Sequence, residues 1–346
     1  MEKDTQRKKH KRLMIAFYVL IGVAAALCLT VFFIWLHGRN SMNKPSDSPN
    51  LPDEQNQIVT YKGKQYRYNA GMRSILLLGI DADRKPSAPY EAQNQSDLIV
   101  IAALDTAHNK MTLISLNRDT MCDMEILDDN GSSQGVANAQ LALAFSYGDG
   151  LYRSCQLTRD AVSNLFYGLP IQGYAAYYLG GIADLNDAVG GVTVTVLDDY
   201  PFSHISSCWN MYPGEEVTLT GEQARLYTQA RLEDRVDANQ LRMARQKQYM
   251  LSLIAQVKQL IRDHPTKVLS LYDSLDDYLL SDLDLGAISY LATQAASMAF
   301  SGEIRTIEGS SALGAGNHAE FTPDNASLYE LMLDVFYEEV TSTEAS

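Results

Sequence analysis

The sequence predicts an α/β fold, a three-layer α-β-α sandwich with a central mixed sheet, preceded by one transmembrane helix. Three observations carry that expectation: a long uncharged stretch near the N-terminus, apolar runs of strand length closed by Gly or Asp, and helical patterns alternating with those runs. Of 346 residues, 46% are hydrophobic, enough to give a domain of this size a real core and to argue against disorder over most of the chain.

The elements follow in order. Residues 1–12 form a basic tail, with Lys3, Arg7, Lys8, Lys9, Lys11 and Arg12 against Glu2 and Asp4. Leu13 to Leu36 contains no charged residue, and its 24 residues at about 1.5 Å each span about 36 Å, more than the roughly 30 Å of bilayer hydrocarbon. The basic flank stays cytoplasmic, so everything after residue 36 is expected to be extracytoplasmic, on a single-pass protein of the cell membrane. A cleaved leader is disfavoured because its apolar core runs only about 7–15 residues and Trp35-Leu36-His37 is a poor cleavage site. Leu27 before Cys28 also argues against a lipid-modified cysteine.

Residues 37–57, rich in Asn, Ser, Pro and Asp, read as a linker, and 37–70 as linker and lead-in. The main domain is expected over 71–262. Arg73 to Asp81 is a buried strand, and Leu98 to Leu104 pairs with Met111 to Leu116 as a hairpin across Asp105 to Asn109. Leu141 to Leu169 is helical and stops at Gly168-Leu169-Pro170. Tyr174 to Leu179 is a strand, Ile182 to Val189 a short helix ended by Gly190-Gly191, and Val192 to Leu197 another strand. Thr220-Gly221-Glu222-Gln223 matches a capping box opening a helix through Arg231, and a long helix follows from about Ala238 to Arg262. Residues 263–346 read as an α/β extension of the same domain: two helices, a strand at Glu303 to Ile307 and a helix from about Asn325.

Charge and cysteine usage exclude several functions. Without the tail, 22 basic residues face 40 acidic ones, a net −18, so nucleic acid is not an expected partner. Three outer cysteines, Cys122, Cys155 and Cys208, leave room for one disulfide, with Cys122 and Cys155 the favoured pair. No Cys/His spacing suits zinc. Gly131-Ser132-Ser133-Gln134-Gly135 fits the spacing of a nucleophile elbow, but it follows Asp128-Asp129-Asn130 rather than a buried strand and is read as a polar turn.

The chemistry gathers elsewhere. On the long helix, residues 242, 246, 250, 253 and 257 share one stripe, so Arg242 and Gln246 lead into Met250, Leu253 and Val257, with Arg245 beside them. An arginine on a helix is ordinarily solvated or paired with an acid. Several on one inward stripe, with Arg231 upstream, suggest an anion site that continues into an apolar wall. Asp81 closes one strand and Asp97 opens another; either alone would be a turn residue, but together they could hold Mg²⁺ (or Mn²⁺), which prefers oxygen ligands. Arg118 and Asp119 end the third strand at the same sheet edge.

Those residues resemble the LytR-CpsA-Psr family. The resemblance rests on LLLGID at 76–81, Ser96-Asp97, Leu116 to Thr120, Gly190-Gly191-Val192, Leu219 to Ala224, Tyr227 to Arg231 and Arg242-x-x-Arg245-Gln246, in the family's order over roughly 71–260. It implies a phosphotransferase of the outer membrane face that moves an anionic glycopolymer from a polyprenyl pyrophosphate carrier to peptidoglycan. By position, Asp81 and Asp97 match metal and phosphate-site aspartates, and Arg118, Arg231, Arg242 and Gln246 match pyrophosphate contacts. Asp97 or Asp119 would orient or deprotonate the attacking sugar hydroxyl. The chain departs from the family at Gln229, where an arginine is usual, at Gln140, where a lysine is frequent, and at Asn117, where proline is frequent. Loss of two cations keeps open a non-catalytic binding or scaffold protein, or a pyrophosphate hydrolase using the same site.

Overall fold

A computed structural model describes residues 30–42, 58–128, 130–198, 211–230, 238–314 and 317–340, without the side chains of 238–240. The basic tail, most of the expected membrane span, Arg231 and Cys208 lie outside these. Among the described residues no helix is long and apolar enough to cross a membrane.

The chain begins with helix α1 (30–42), then strands β1 (Ile58–Tyr61), β2 (Lys64–Tyr68), β3 (Met72–Ile80), β4 (Ser96–Asp105), β5 (Lys110–Leu116), β6 (Met121–Leu127) and β7 (Ser133–Gln140). Helices α2 (Leu143–Ser146) and α3 (Tyr152–Leu165) lead to β8 (Gly173–Tyr178), α4 (Ile182–Ala188), β9 (Val192–Thr195), β10 (Glu216–Leu219) and α5 (Gly221–Gln229). The last part holds α6 (Ala238–Asp263), α7 (Lys267–Leu275), β11 (Leu279–Ser281), α8 (Leu285–Ser297), β12 (Ile304–Thr306), β13 (Gly309–Leu313), β14 (Ala319–Pro323), α9 (Asn325–Phe336) and β15 (Tyr337–Glu339).

The central sheet has the order β11-β8-β3-β4-β5-β12. It is mixed: β3 runs antiparallel to β4 but parallel to β8, and β5 antiparallel to β4 but parallel to β12. Because strand side chains alternate, one face presents Leu76, Leu78, Ile80, Ile99, Ile101, Ile114 and Leu116, which are sealed under α3 and α9. The opposite face presents Ile75, Leu77, Val100, Ala102, Leu104, Met111 and Leu113 to α6, α8 and α1. Helices on both faces make the three layers expected.

The capping box forms as read: the Thr220 side chain accepts from Gln223 N, and the Gln223 side chain accepts from Thr220 N at 2.9 Å. The polar Gly131 to Gly135 stretch runs from the turn of the β6–β7 hairpin, where Gly131 has φ 79°, into the exposed start of β7 at Ser133, so the expected turn covers only its first two residues. Two expectations are corrected. Residues 37–42, taken as linker, continue α1 and dock on the domain, Met42 being buried. Cys122 and Cys155 are free thiols buried in the main core, not a disulfide.

Candidate functional site

The site forms where β3 ends, β4 begins and β5 ends. The β3–β4 register runs Gly79 to Leu98 and then Ile80 to Ser96, so Asp97 is the extra residue of a β-bulge. A bulge leaves its residue out of the ladder and re-aims its side chain. Asp81 stands next to it, its N–H donating to Gln95 O at 3.0 Å. The loop carrying Asp81 also rests on Gly180, whose N–H donates to Ala82 O at 3.2 Å; any Cβ at 180 would overlap the backbone of Asp83.

Arg118 extends from β5 across the bulge, donating to the Asp97 carboxylate and to Gln95 Oε1. Its Nε lies 3.6 Å from Asp119 Oδ1. Burial pushes the Asp97 carboxyl above the ordinary carboxylate range; the Arg118 charge opposes this, the Asp81 charge adds to it and the Arg242 charge opposes it. Those influences place Asp81, Asp97, Arg118 and Arg242 in one electrostatic neighbourhood.

The C-terminal segment contributes a wall that the sequence did not disclose. Gln140 Nε2 donates to Asp119 Oδ1 at 3.2 Å and to Ala319 O, while Phe321 N donates to Asp119 O at 2.8 Å. The β13–β14 hairpin is thereby fastened beside Asp119. Gln229 Nε2 reaches Leu179 O at 3.5 Å, and its Oε1 lies 3.5 Å from Arg225 Nη1. Arg225 therefore brings a guanidinium to the side of Gln229, although its main partner is Glu222 at 2.6 Å. The signal available in the sequence was its position one helical turn before 229.

Two expectations for α6 change. Arg245 is not an open ligand contact: it is 1% exposed, 2.7 Å from Asp198 and bonded to the carbonyls of Tyr227 and Ala230. Its five donors are better suited to stitching α6 to the end of α5 than to an incoming anion. Gln246 also binds α5, donating to Thr228 O at 3.0 Å. The apolar stripe divides as well. Met250 faces the sheet beside Ile254, whereas Leu253 and Val257 pack toward α4 and β9. Ile254, which the stripe did not include, packs against the same face of the sheet. Arg231 lies outside the described residues.

Comparisons with known proteins bear on the fold and the family. The chain is 30% identical over 161 residues to the polyisoprenyl-teichoic acid–peptidoglycan teichoic acid transferase TagU of Enterococcus faecalis, covering 46% of each chain. It is 28% identical over 251 residues to TagV of Bacillus subtilis, named as the same kind of transferase, covering 72% of this chain and 58% of that one. The chain thus spans about half the length of these relatives. The structure of TagT bound to LIIa-WTA shares the fold at a TM-score of 0.58 and 20% identity, covering 84% of this chain and 98% of that one. With the fold held in common, and the LytR_cpsA_psr family model matching residues 33–331, the chain belongs to the LytR_cpsA_psr family.

Proposed function

We propose that the protein transfers an anionic glycopolymer from a polyprenyl pyrophosphate carrier to peptidoglycan at the outer face of the membrane. The observation carrying this reading is the junction of two unlike surfaces: Asp81, Asp97, Arg118 and Arg242 lie at one end of the sheet, beside a face that is apolar from Leu98 onward. An amphipathic pyrophosphate matches both. The relatives named as teichoic acid transferases support the class of reaction.

The residues suit Mg²⁺ (or Mn²⁺). Asp81 and Asp97 are hard oxygen donors whose mutual repulsion helps raise the Asp97 pKa, and a cation between them would relieve it. Among the described residues no group of three or more His, Cys, Asp or Glu gathers, so two carboxylates would leave the other positions to phosphate oxygens and water, the habit of Mg²⁺. When bound, the ion would neutralise pyrophosphate charge. Arg118 and Arg242 orient the pyrophosphate and stabilise the charge that develops on the leaving polyprenyl phosphate. The acceptor hydroxyl oxygen forms a bond to the glycopolymer-bearing phosphorus, and the bond from that phosphorus to the bridging oxygen breaks. The hydroxyl proton passes to Asp97 or Asp119, the carboxylates flanking Arg118.

A second reading, binding without turnover, is favoured by Gln140 and Gln229, neutral amides engaged with backbone carbonyls. One assay separates them: full-length protein in vesicles with labelled polyprenyl pyrophosphate glycan, with and without Mg²⁺ and peptidoglycan. Transfer supports the proposal, release without acceptor indicates hydrolysis, and binding alone indicates the second reading. Arg118→Ala is expected to lower transfer by about 10²- to 10³-fold, the usual cost of removing a transition-state charge partner. An unchanged rate would place the site elsewhere.

A further inference from the structure

We infer that α1 is a docked part of the domain rather than a tether, and that it joins the apolar face of the sheet to the lipid bilayer. The α1–α8 contact is built for close approach. A Cβ on Gly38 would overlap the backbone of Gly286, and one on Gly286 would lie 2.8 Å from Ile34 O and 3.0 Å from Gly38 N. Around this glycine crossing, Trp35 Nε1 donates to Thr293 Oγ1 at 3.0 Å, the Trp35 ring meets Tyr290 edge-on at 5.6 Å, and His37 lies 3.6 Å from Asp284. Met42 is buried with Ala287, Tyr290 and Leu291. A tether would need none of these.

The first turn of α1, ahead of the docked turns, is bare and apolar. Val31, Phe32 and Phe33 are 42%, 52% and 61% exposed. The sequence immediately before them, residues 13–29, has no charged residue, so the occupant of this surface is the hydrocarbon of a bilayer.

The position of α1 on the sheet gives that docking a consequence. The cluster it joins contains Ile75, Leu104 and Met111, at the end of the sheet opposite Asp81, Asp97 and Arg118. Between the two ends lie Leu98, Val100, Ala102 and Leu104 on one face of β4, and Leu77, Ile254 and Phe300 border both apolar clusters. Six steps at about 3.3 Å span about 20 Å. On the proposed transferase reading, the pyrophosphate sits at the charged end, and its polyprenyl chain follows this face toward α1 and leaves there into the membrane.

Hydrogen exchange on the full-length chain in phosphatidylglycerol vesicles tests the docking with no need for turnover. Alanine is a better helix former than glycine, so in an undocked helix Gly38→Ala slows exchange of residues 34–42 or leaves it unchanged. In the docked helix it does the opposite. The expected result is at least a tenfold acceleration over 34–42 in both Gly38→Ala and Gly286→Ala, with β3 to β5 unaffected; slower or unchanged exchange overturns the inference. A polyprenyl phosphate with a photoreactive group on its far isoprene is expected to label peptides within 30–42 or 285–304. Labelling confined elsewhere, or no specific labelling, overturns the lipid path. Labelling there without glycan transfer would sink the transferase reading while leaving the path intact.

Discussion

The two faces of the central sheet are made from alternate residues of the same strands, yet they are finished differently. Ile99 and Ile101, on the face under α3 and α9, are wholly buried. On the other face Val100 is just as buried, but Leu77, Leu98, Met250, Ile254, Phe300 and Ile304 around it are only partly covered. The first face maintains the fold; the second is an apolar surface covered by helices that are themselves held from outside the sheet. The difference suggests that stability and ligand binding are divided between faces, and mutations can break that division.

The largest effect is expected at the device that holds α6 over the second face. Arg245→Ala leaves Asp198 buried without its guanidinium and should cost about 3–5 kcal/mol in urea unfolding of the detergent-solubilised chain. Replacing both partners, Arg245→Met with Asp198→Leu, should recover most of it, because the buried carboxylate is then removed together with the guanidinium. If the single variant lost ligand binding at unchanged stability, Arg245 would be a site residue after all.

A cavity on each face is the more direct comparison. Ile101→Ala should destabilise by about 2–5 kcal/mol, as buried aliphatic truncations do. Met250→Ala, at a half-buried position, should cost less than about 1.5 kcal/mol and instead weaken binding of a long-chain polyprenyl phosphate relative to a short-chain one. Equal unfolding costs and equal chain-length preference would erase the distinction between the faces.

Much of the fold was legible because the strands themselves are legible. Arg73 to Asp81 is a continuous apolar run and lies within one residue of β3, and the capping box at Thr220 starts α5 where it was expected. Such a run cannot say which face will be sealed, since both sides are apolar. The β6–β7 hairpin escaped notice for the opposite reason: β7 is largely exposed, and its Ser, Gln, Gly and Asn carry no apolar alternation. At the site, the pairing of Asp81 with Asp97 was readable from strand ends, but the bulge that turns Asp97 out depends on register across two strands. Arg242 and Arg245 could not be separated by periodicity, because the choice is made by Asp198, 47 residues from Arg245.

The smallest effect is expected from the two thiols of the sealed face, and its sign follows from burial. Burial pushes Cys122 from an ordinary value of 9.0 up to about 12, and pushes Cys155 in the same direction. The thiolate attacks alkylating reagents, so the folded chain at pH 8 should leave both residues unmodified, while denaturant exposes them to rapid reaction. A pKa raised in the folded state contributes stability that is present below the unfolded value and lost as pH climbs through the folded one. For Cys122 that window runs from about 9 to about 12. Cys122→Ala should therefore flatten part of the alkaline decline in thermal stability while lowering stability slightly at pH 7. Mild oxidation should leave the melting temperature unchanged, because the two thiols are separate core residues. Rapid alkylation of Cys155 in the folded chain would mean that α3 opens readily, and the face it covers could no longer be treated as sealed.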